Sequence, residues 1–263
     1  MSLIALFCSL LFACSTASCP ERRPSVQYVP VPYEEFGERE KPRWLMIPLK
    51  DVDRRPARFP LITMLIIGAN TFLYLIEVME GGDFVRRWSL IPAEVSAGKN
   101  LVTVVTAMFL HGSLLHIAGN MIFFWAFGPQ VEDMMGRVRY ALFYLLGGVV
   151  AFGVQIGLNP GAHVPTLGAS GAIATVMAAF LVTFPRDRIR TVIFLGFFVT
   201  IYLIPAVVLV GIWFLLQIVS EAGTLAESQS RGGVAYGAHI GGFLFGLAFA
   251  RLFEGWRPEG DRA

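Results

Sequence analysis

The sequence is poor in charge. Asp, Glu, Lys and Arg make up 15% of its 263 residues and hydrophobic residues make up 55%, whereas a soluble domain is about 25% charged. The formal net charge is only +2, which does not favour nucleic acid as a partner. Composition therefore argues against a soluble domain and predicts a multi-pass integral membrane protein in contact with lipid.

The main body of the chain also lacks cysteine. Its three cysteines, Cys8, Cys14 and Cys19, all lie in the first 19 residues, so the rest has neither a disulfide framework nor a thiol nucleophile. Four histidines are present, but few carboxylates lie near them in sequence. We therefore expect neither a metal site nor a cofactor.

Long apolar runs dominate the remainder. Residues 1–59 are predicted to be an N-terminal extension and cytoplasmic arm that is mobile, residues 60–254 a single membrane domain, and residues 255–263 a cytoplasmic tail. A membrane helix needs about 20 apolar residues, and this predicts an all-α bundle of six transmembrane helices. Their approximate bounds are 61–79, 113–128, 138–157, 168–184, 203–219 and 235–253. The fifth comes from a longer apolar run, 191–219, in which Pro205 lies near the expected helix start and 191–200 is partly interfacial.

Basic residues orient these helices. Counted from residue 39, the segments on the side of the arm hold 15 Lys and Arg, and the loops on the other side hold 4. Cytoplasmic segments of membrane proteins carry the excess of Lys and Arg. The count predicts that the arm and the C-terminus are cytoplasmic, with loops 80–112 and 220–234 outside.

This orientation brings a few polar residues to one depth. Segments two, four and six all run inward from the outer face, and His116, Asn120, Ser170 and His239 lie near their outer ends. A serine beside a histidine is the minimum apparatus for acyl transfer, because the imidazole takes the hydroxyl proton. No Asp or Glu lies near the outer ends of these three segments, so we predict a Ser170–His239 dyad rather than a triad.

Each feature also has a structural interpretation. Gly168-Ala169-Ser170-Gly171 alone could be a helix-packing surface, since small residues are common where membrane helices meet. We predict Gly168, Gly171, Gly241 and Gly242 as packing glycines, and such faces also let Ser170 approach His239. His116 and Asn120 share a helix face. They could donate to an oxyanion together with the backbone N–H of Ser170, or simply brace segment two.

Taken together and in order, the motifs resemble the rhomboid intramembrane serine proteases. The residues that carry the resemblance are His111-Gly112-Ser113-Leu114-Leu115-His116, Gly119-Asn120-Met121, Phe127-Gly128, Glu132, Gly168-Ala169-Ser170-Gly171-Ala172, Pro205-Ala206, Trp213 with Gln217, and Ala238-His239-Ile240-Gly241-Gly242. The sequence departs from some members in two places. It lacks a Trp-Arg pair before His111, and Ala174 stands where an aromatic residue follows the serine.

The resemblance implies a six-helix bundle with a membrane-embedded loop between segments one and two. It implies Ser170 as nucleophile, His239 as general base, and His116 and Asn120 at the oxyanion hole. The expected partners are single-span or other transmembrane protein substrates, cut near the outer face, and the expected location is a bacterial inner membrane. One rival is a non-catalytic membrane protein that holds client helices. A small transporter is disfavoured, because ionisable residues do not run through the full membrane depth.

Overall fold

The computed structural model describes residues 44–195, 198–226 and 235–254. The predicted mobile arm up to residue 43 and the predicted tail from residue 255 lie outside the described residues. The elements, in chain order, are β1 (Trp44–Asp51), α1 (Leu61–Glu80), α2 (Gly82–Trp88), α3 (Pro92–Ser96), α4 (Thr103–Thr106), a 3-10 turn (Ala107–Phe109), α5 (Leu114–Met135), α6 (Arg137–Leu158), α7 (Ser170–Thr183), β2 (Arg188–Leu195), β3 (Phe198–Pro205), α8 (Ala206–Ala226) and α9 (Tyr236–Phe253).

Helices occupy all six predicted apolar segments, as α1, α5, α6, α7, α8 and α9. By length and composition, α1, α6 and α9 could each cross a membrane. The segment Thr103–Phe109 and α5, bent by 89° at their junction, make a fourth span if the pair counts as one. Helix α7 and the Ala206–Val219 part of α8 are apolar but shorter. A mainly helical membrane protein is therefore confirmed, and the count of six spans stays a prediction.

Helix α7 is the central helix of the described bundle. Its first ten positions after Ser170, Gly171–Phe180, are all buried, and it packs against α5, α6, α8 and α9. Its sequence holds no charged residue and is rich in small side chains, so neighbouring helices can approach it from every side. Ser170 therefore begins the most enclosed helix of the domain.

Glycines set the distance between α7 and α9. A Cβ added at Gly242 would collide with the carbonyl oxygen of Gly171, and the Thr175 hydroxyl donates to the Gly242 carbonyl at 2.8 Å. Gly241 faces a different helix, since its added Cβ would lie 2.6 Å from the Cβ of Val154 in α6. The predicted packing glycines Gly171, Gly241 and Gly242 thus all sit at helix contacts, with α9 meeting α7 on one side and α6 on the other.

A buried carboxylate joins the first two long helices at the end away from Ser170. Glu132 of α5 is 3% exposed and accepts hydrogen bonds from the backbone N–H groups of Ile62 and Thr63, at 2.9 and 2.8 Å, and from the Thr63 hydroxyl at 2.8 Å. The first N–H groups of a helix have no partner within it. Glu132 supplies that partner for α1 and so holds the start of α1 against the end of α5.

An antiparallel three-stranded sheet, in the order β1-β2-β3, was not predicted. Strand β1 lies inside residues 1–59, which the sequence assigned to the arm, and pairs with β2 from Trp44↔Leu195 to Asp51↔Ile189. Strands β2 and β3 contain the described residues of 191–200, the part that was expected to be partly interfacial, and β3 continues to Pro205, so the first residues of the predicted helix 203–219 are strand instead. Two ion pairs, Arg54–Asp187 and Arg188–Asp53, also connect the segment that follows β1 with the start of β2. The described residues before 60 therefore belong to the same compact unit as the helices.

Candidate active site

Ser170 is the first residue of α7. The preceding Ala169 is buried, and Ser170 itself is partly exposed. The first N–H groups of a helix lack intrahelical acceptors and carry the positive end of the helix dipole. This position gives the hydroxyl access from outside the bundle and gives its own backbone N–H the orientation of an anion donor.

His239 faces Ser170 from the second turn of α9. Its Nε2 lies 2.6 Å from the Ser170 Oγ, which is hydrogen-bond distance for a nucleophile and its base. The imidazole is 7% exposed. The start of α9 is fixed from α6, because Gln155 Oε1 accepts the Ala238 N–H at 3.1 Å. Two residues 69 positions apart in sequence are thus brought into direct contact, as the sequence analysis predicted.

Helix α8 supplies the second polar contact of the His239 ring. The Nδ1 of His239 lies 2.7 Å from the Oε1 of Gln217. The Trp213 ring lies one turn earlier on α8, with its centroid 5.7 Å from that of His239. The sequence analysis named Trp213 and Gln217 only within the family resemblance and gave them no role. The available signal was their i, i+4 spacing, which puts an amide and an aromatic ring on one helix face.

Gly168, predicted as a packing glycine, lies between the His116 ring of α5 and the Ser170 hydroxyl. It lies in the turn before α7 with φ at +126°, a conformation that favours glycine. A Cβ added there would lie 2.9 Å from the His116 ring and 3.7 Å from the Ser170 Oγ. Its N–H donates to the Ala107 carbonyl at 2.8 Å. Gly168 therefore allows His116 to approach the turn that carries Ser170.

Four polar residues from α1, the loop and α5 form a connected group beside this turn. The backbone N–H of His111 donates to both carboxylate oxygens of Glu77, each at 3.0 Å. The His111 and His116 rings meet edge to face, with centroids 5.1 Å apart. The Asn120 Nδ2 lies 2.9 Å from the His111 Nε2. Of the two predicted oxyanion residues, His116 is next to the Ser170 turn, while the Asn120 amide is engaged with His111.

The role of Asn120 can be tested by substitution. Removing one oxyanion donor lowers kcat about 10²–10³-fold in a soluble protease. Since His116 and a backbone donor remain, we expect Asn120→Ala to lower turnover by no more than that, and by less than Ser170→Ala does. The measurement is turnover per folded molecule together with thermal unfolding. Full turnover with reduced thermal stability, matched by His111→Ala, would show that Asn120 only braces α5.

The arrangement has the parts needed for acyl transfer. It holds a hydroxyl at a helix start, an imidazole at 2.6 Å to accept its proton, and N–H donors beside the hydroxyl. In a site of low dielectric, such donors act strongly on a developing negative charge.

Comparison with known proteins points to one family. The model of the family described as Rhomboid domain matches residues 98–255. The presenilin-associated rhomboid-like protein, mitochondrial, of Bos taurus is 33% identical over 138 residues, or 51% of this chain and 35% of that protein. Rhomboid protein 1, mitochondrial, of Saccharomyces cerevisiae is 24% identical over 191 residues, 70% and 51% of the two chains. The rhomboid protease GluP of Bacillus subtilis is 26% identical over 160 residues, 56% and 31%. The matched part thus spans about a third to a half of these relatives.

Proposed function

Because the chain belongs to the rhomboid family, we propose that it is an intramembrane serine endopeptidase that hydrolyses peptide bonds of transmembrane proteins with a Ser170–His239 dyad. The observation that carries the proposal is the 2.6 Å contact between the Ser170 hydroxyl and the His239 imidazole. The name of the Bacillus relative, a rhomboid protease, supports the same activity.

In the proposed acylation step, His239 Nε2 takes the proton of Ser170 as Oγ attacks the scissile carbonyl carbon. The carbonyl oxygen becomes negatively charged and is stabilised by N–H donors, for which we propose His116, Asn120 and the backbone N–H of Ser170. The imidazolium then gives its proton to the leaving amine, and the C–N bond breaks. Water, deprotonated by the same imidazole, next attacks the acyl ester and restores the Ser170 hydroxyl.

The position of the dyad suggests where substrates are cut. Ser170 and His239 both lie at the N-terminal ends of their helices, α7 and α9. The carbonyls of a helical substrate are engaged in i→i−4 hydrogen bonds, so the substrate must unwind before Ser170 can attack. We propose cleavage beside small residues near one end of the substrate's membrane helix, where Gly, Ala or Ser weakens the helix.

Membrane orientation is a proposal from charge alone. The excess of Lys and Arg, 15 against 4, supports a cytoplasmic arm and C-terminus and puts the dyad near the outer face. The relatives include two proteins named as mitochondrial and one from a bacterium. The bacterial inner membrane therefore stays a prediction.

Reconstitution tests the proposed function. The purified full chain, in liposomes, is incubated with a single-span substrate that carries a Gly-Ala-Ser stretch near the outer end of its helix, and the new termini are read by mass spectrometry. We expect cleavage within that stretch by the parent and none by Ser170→Ala. Substrate that binds the parent but stays intact would support the client-binding alternative, and equal cleavage by Ser170→Ala would exclude Ser170 as the nucleophile.

A further inference from the structure

We infer that Gln217 is the positioning residue of His239, and that its side-chain oxygen takes the place that a carboxylate has in a Ser-His-Asp triad. The inference rests on the proposed function, since it assigns a role in the same reaction. It starts from the 2.7 Å contact between Gln217 Oε1 and His239 Nδ1, on the side of the ring opposite the serine.

The two contacts of His239 require one tautomer. To accept the Ser170 proton, Nε2 must carry a lone pair, so the ring proton of the neutral imidazole belongs on Nδ1. That Nδ1–H needs an acceptor because the ring is buried. Gln217 Oε1 is an acceptor at hydrogen-bond distance, so it favours the tautomer in which Nε2 acts as a base.

A second contact fixes the orientation of the Gln217 amide. Its Nε2 lies 3.3 Å from the Trp213 carbonyl oxygen and donates to it. Because the NH₂ group is used there, the oxygen is the atom that faces His239. The indole of Trp213 also contacts the imidazole, at 5.7 Å between centroids. Two residues one turn apart on α8 therefore determine both the tautomer and the tilt of the ring.

A neutral acceptor suits this depth. A carboxylate at the same place would support the imidazolium more strongly, but burying an isolated charge in a membrane protein costs several kcal/mol. The amide orients the ring without that cost. In this proposal the partner of His239 Nδ1 is therefore an amide oxygen rather than a carboxylate.

The test compares Gln217→Leu, which removes the acceptor at similar size, with Gln217→Glu, which keeps an acceptor and adds charge. Leu215→Ala is the matched control, because Leu215 lies on the same helix and is 60% exposed. For Gln217→Leu we expect kcat and the rate of Ser170 labelling by a fluorophosphonate to fall about 10–100-fold, by analogy with the loss when the hydrogen-bond partner of a metal-ligating histidine is removed. KM should stay unchanged.

Gln217→Glu separates positioning from packing. A carboxylate beside Nδ1 stabilises the imidazolium, so we expect most of kcat to return and the acid limb of the pH–rate profile to move to higher pH. Among the residues that the structure describes, the other titratable groups near His239 are Tyr236, with its ring centroid 6.2 Å away, and His116, on the other side of Gly168. Both are unchanged in the variants. Loss of thermal stability in Gln217→Leu with full turnover per folded molecule, or a pH profile unmoved in Gln217→Glu, would overturn the inference.

One readout does not depend on proteolysis. Four histidines make ¹⁵N-histidine spectra of the full chain in detergent tractable, and His239→Ala identifies the signal of His239. We expect the Nδ1–H tautomer in the parent and a mixture of tautomers in Gln217→Leu. The same tautomer in both proteins would refute the role of Gln217, even if the parent cut no substrate. A parent with the expected tautomer that cuts nothing would instead count against the proposed function.

Discussion

Ser170→Ala, His239→Ala and the double variant are expected to lose cleavage to the same residual level. In a serine protease the nucleophile and its base act as a unit, and removing either costs about 10⁶-fold in kcat, nearly as much as removing both. Here the 2.6 Å contact joins the two groups directly, so the second substitution should cost almost nothing once the first is made. Both replacements remove few packing atoms, and we expect all three proteins to fold.

The measurement is turnover of a single-span substrate, with fluorophosphonate labelling as a second readout. Labelling should vanish in Ser170→Ala and fall steeply in His239→Ala, because the hydroxyl has lost its base. Ser96→Ala and His163→Ala are matched controls, since both residues are exposed. Additive losses, in which the double variant is far slower than either single variant, would show that Ser170 and His239 do not act together.

The contact between Ser170 and His239 could be predicted from the sequence because both residues lie near the starts of apolar helices. Ser170 and His239 follow small residues at helix starts. The distribution of Lys and Arg predicts that both helices run through the membrane in the same direction. Contact then required only that two small-residue helices meet, and Gly171 and Gly242 are the residues that meet. The prediction therefore depended on local patterns that a single sequence displays.

Other parts of the site depend on distant contacts that no local pattern reveals. Gln217 lies 22 positions before His239, and nothing in its own segment shows which way its amide points. Gly168 has the composition of a packing glycine, but its φ of +126° places it in a turn under His116. Strand β1 pairs with β2 well over a hundred positions later, so its partner cannot be identified from the local composition of either segment.

The helix boundaries also divide into those that follow from local sequence and those that depend on distant contacts. The start of α8 at Ala206 follows from Pro205, which the sequence analysis placed near the helix start. Most of the two strands before it could not be distinguished from a membrane helix, because residues 191–195 and Phe198–Pro205 are apolar enough to extend the helical run. Hydropathy shows how favourably a segment leaves water, but it does not distinguish a short apolar helix from a strand. Here the strand forms because β2 pairs with β1.

Gly242→Ala is expected to lose both stability and activity. The added Cβ would collide with the Gly171 carbonyl oxygen and lie 3.1 Å from the Thr175 hydroxyl oxygen. The Gly171 carbonyl belongs to the helix backbone and cannot rotate away as the end of a flexible side chain can. Helix α9 must therefore move away from α7. Overpacking of this kind costs about 1–3 kcal/mol.

The effect on activity should exceed the effect on folding. Gly171 follows Ser170 directly, and Gly242 is one turn beyond His239, so the contact that spaces the helices also sets the distance between the Ser170 hydroxyl and the His239 imidazole. A displacement of about 1 Å can cost 10²-fold in rate. We therefore expect turnover and Ser170 labelling in Gly242→Ala to fall about 100-fold in the molecules that remain folded.

Gly153→Ala is the matched control, because Gly153 lies in helix α6 and its added Cβ would have no neighbouring atom within 4 Å. Alanine is a better helix former than glycine, so this variant should keep its activity and lose no thermal stability. Thermal unfolding in detergent and turnover in liposomes are compared for both variants and the parent. Parent-like stability and turnover in Gly242→Ala would mean that α9 can shift without separating His239 from Ser170, and that the α7–α9 contact does not position the dyad.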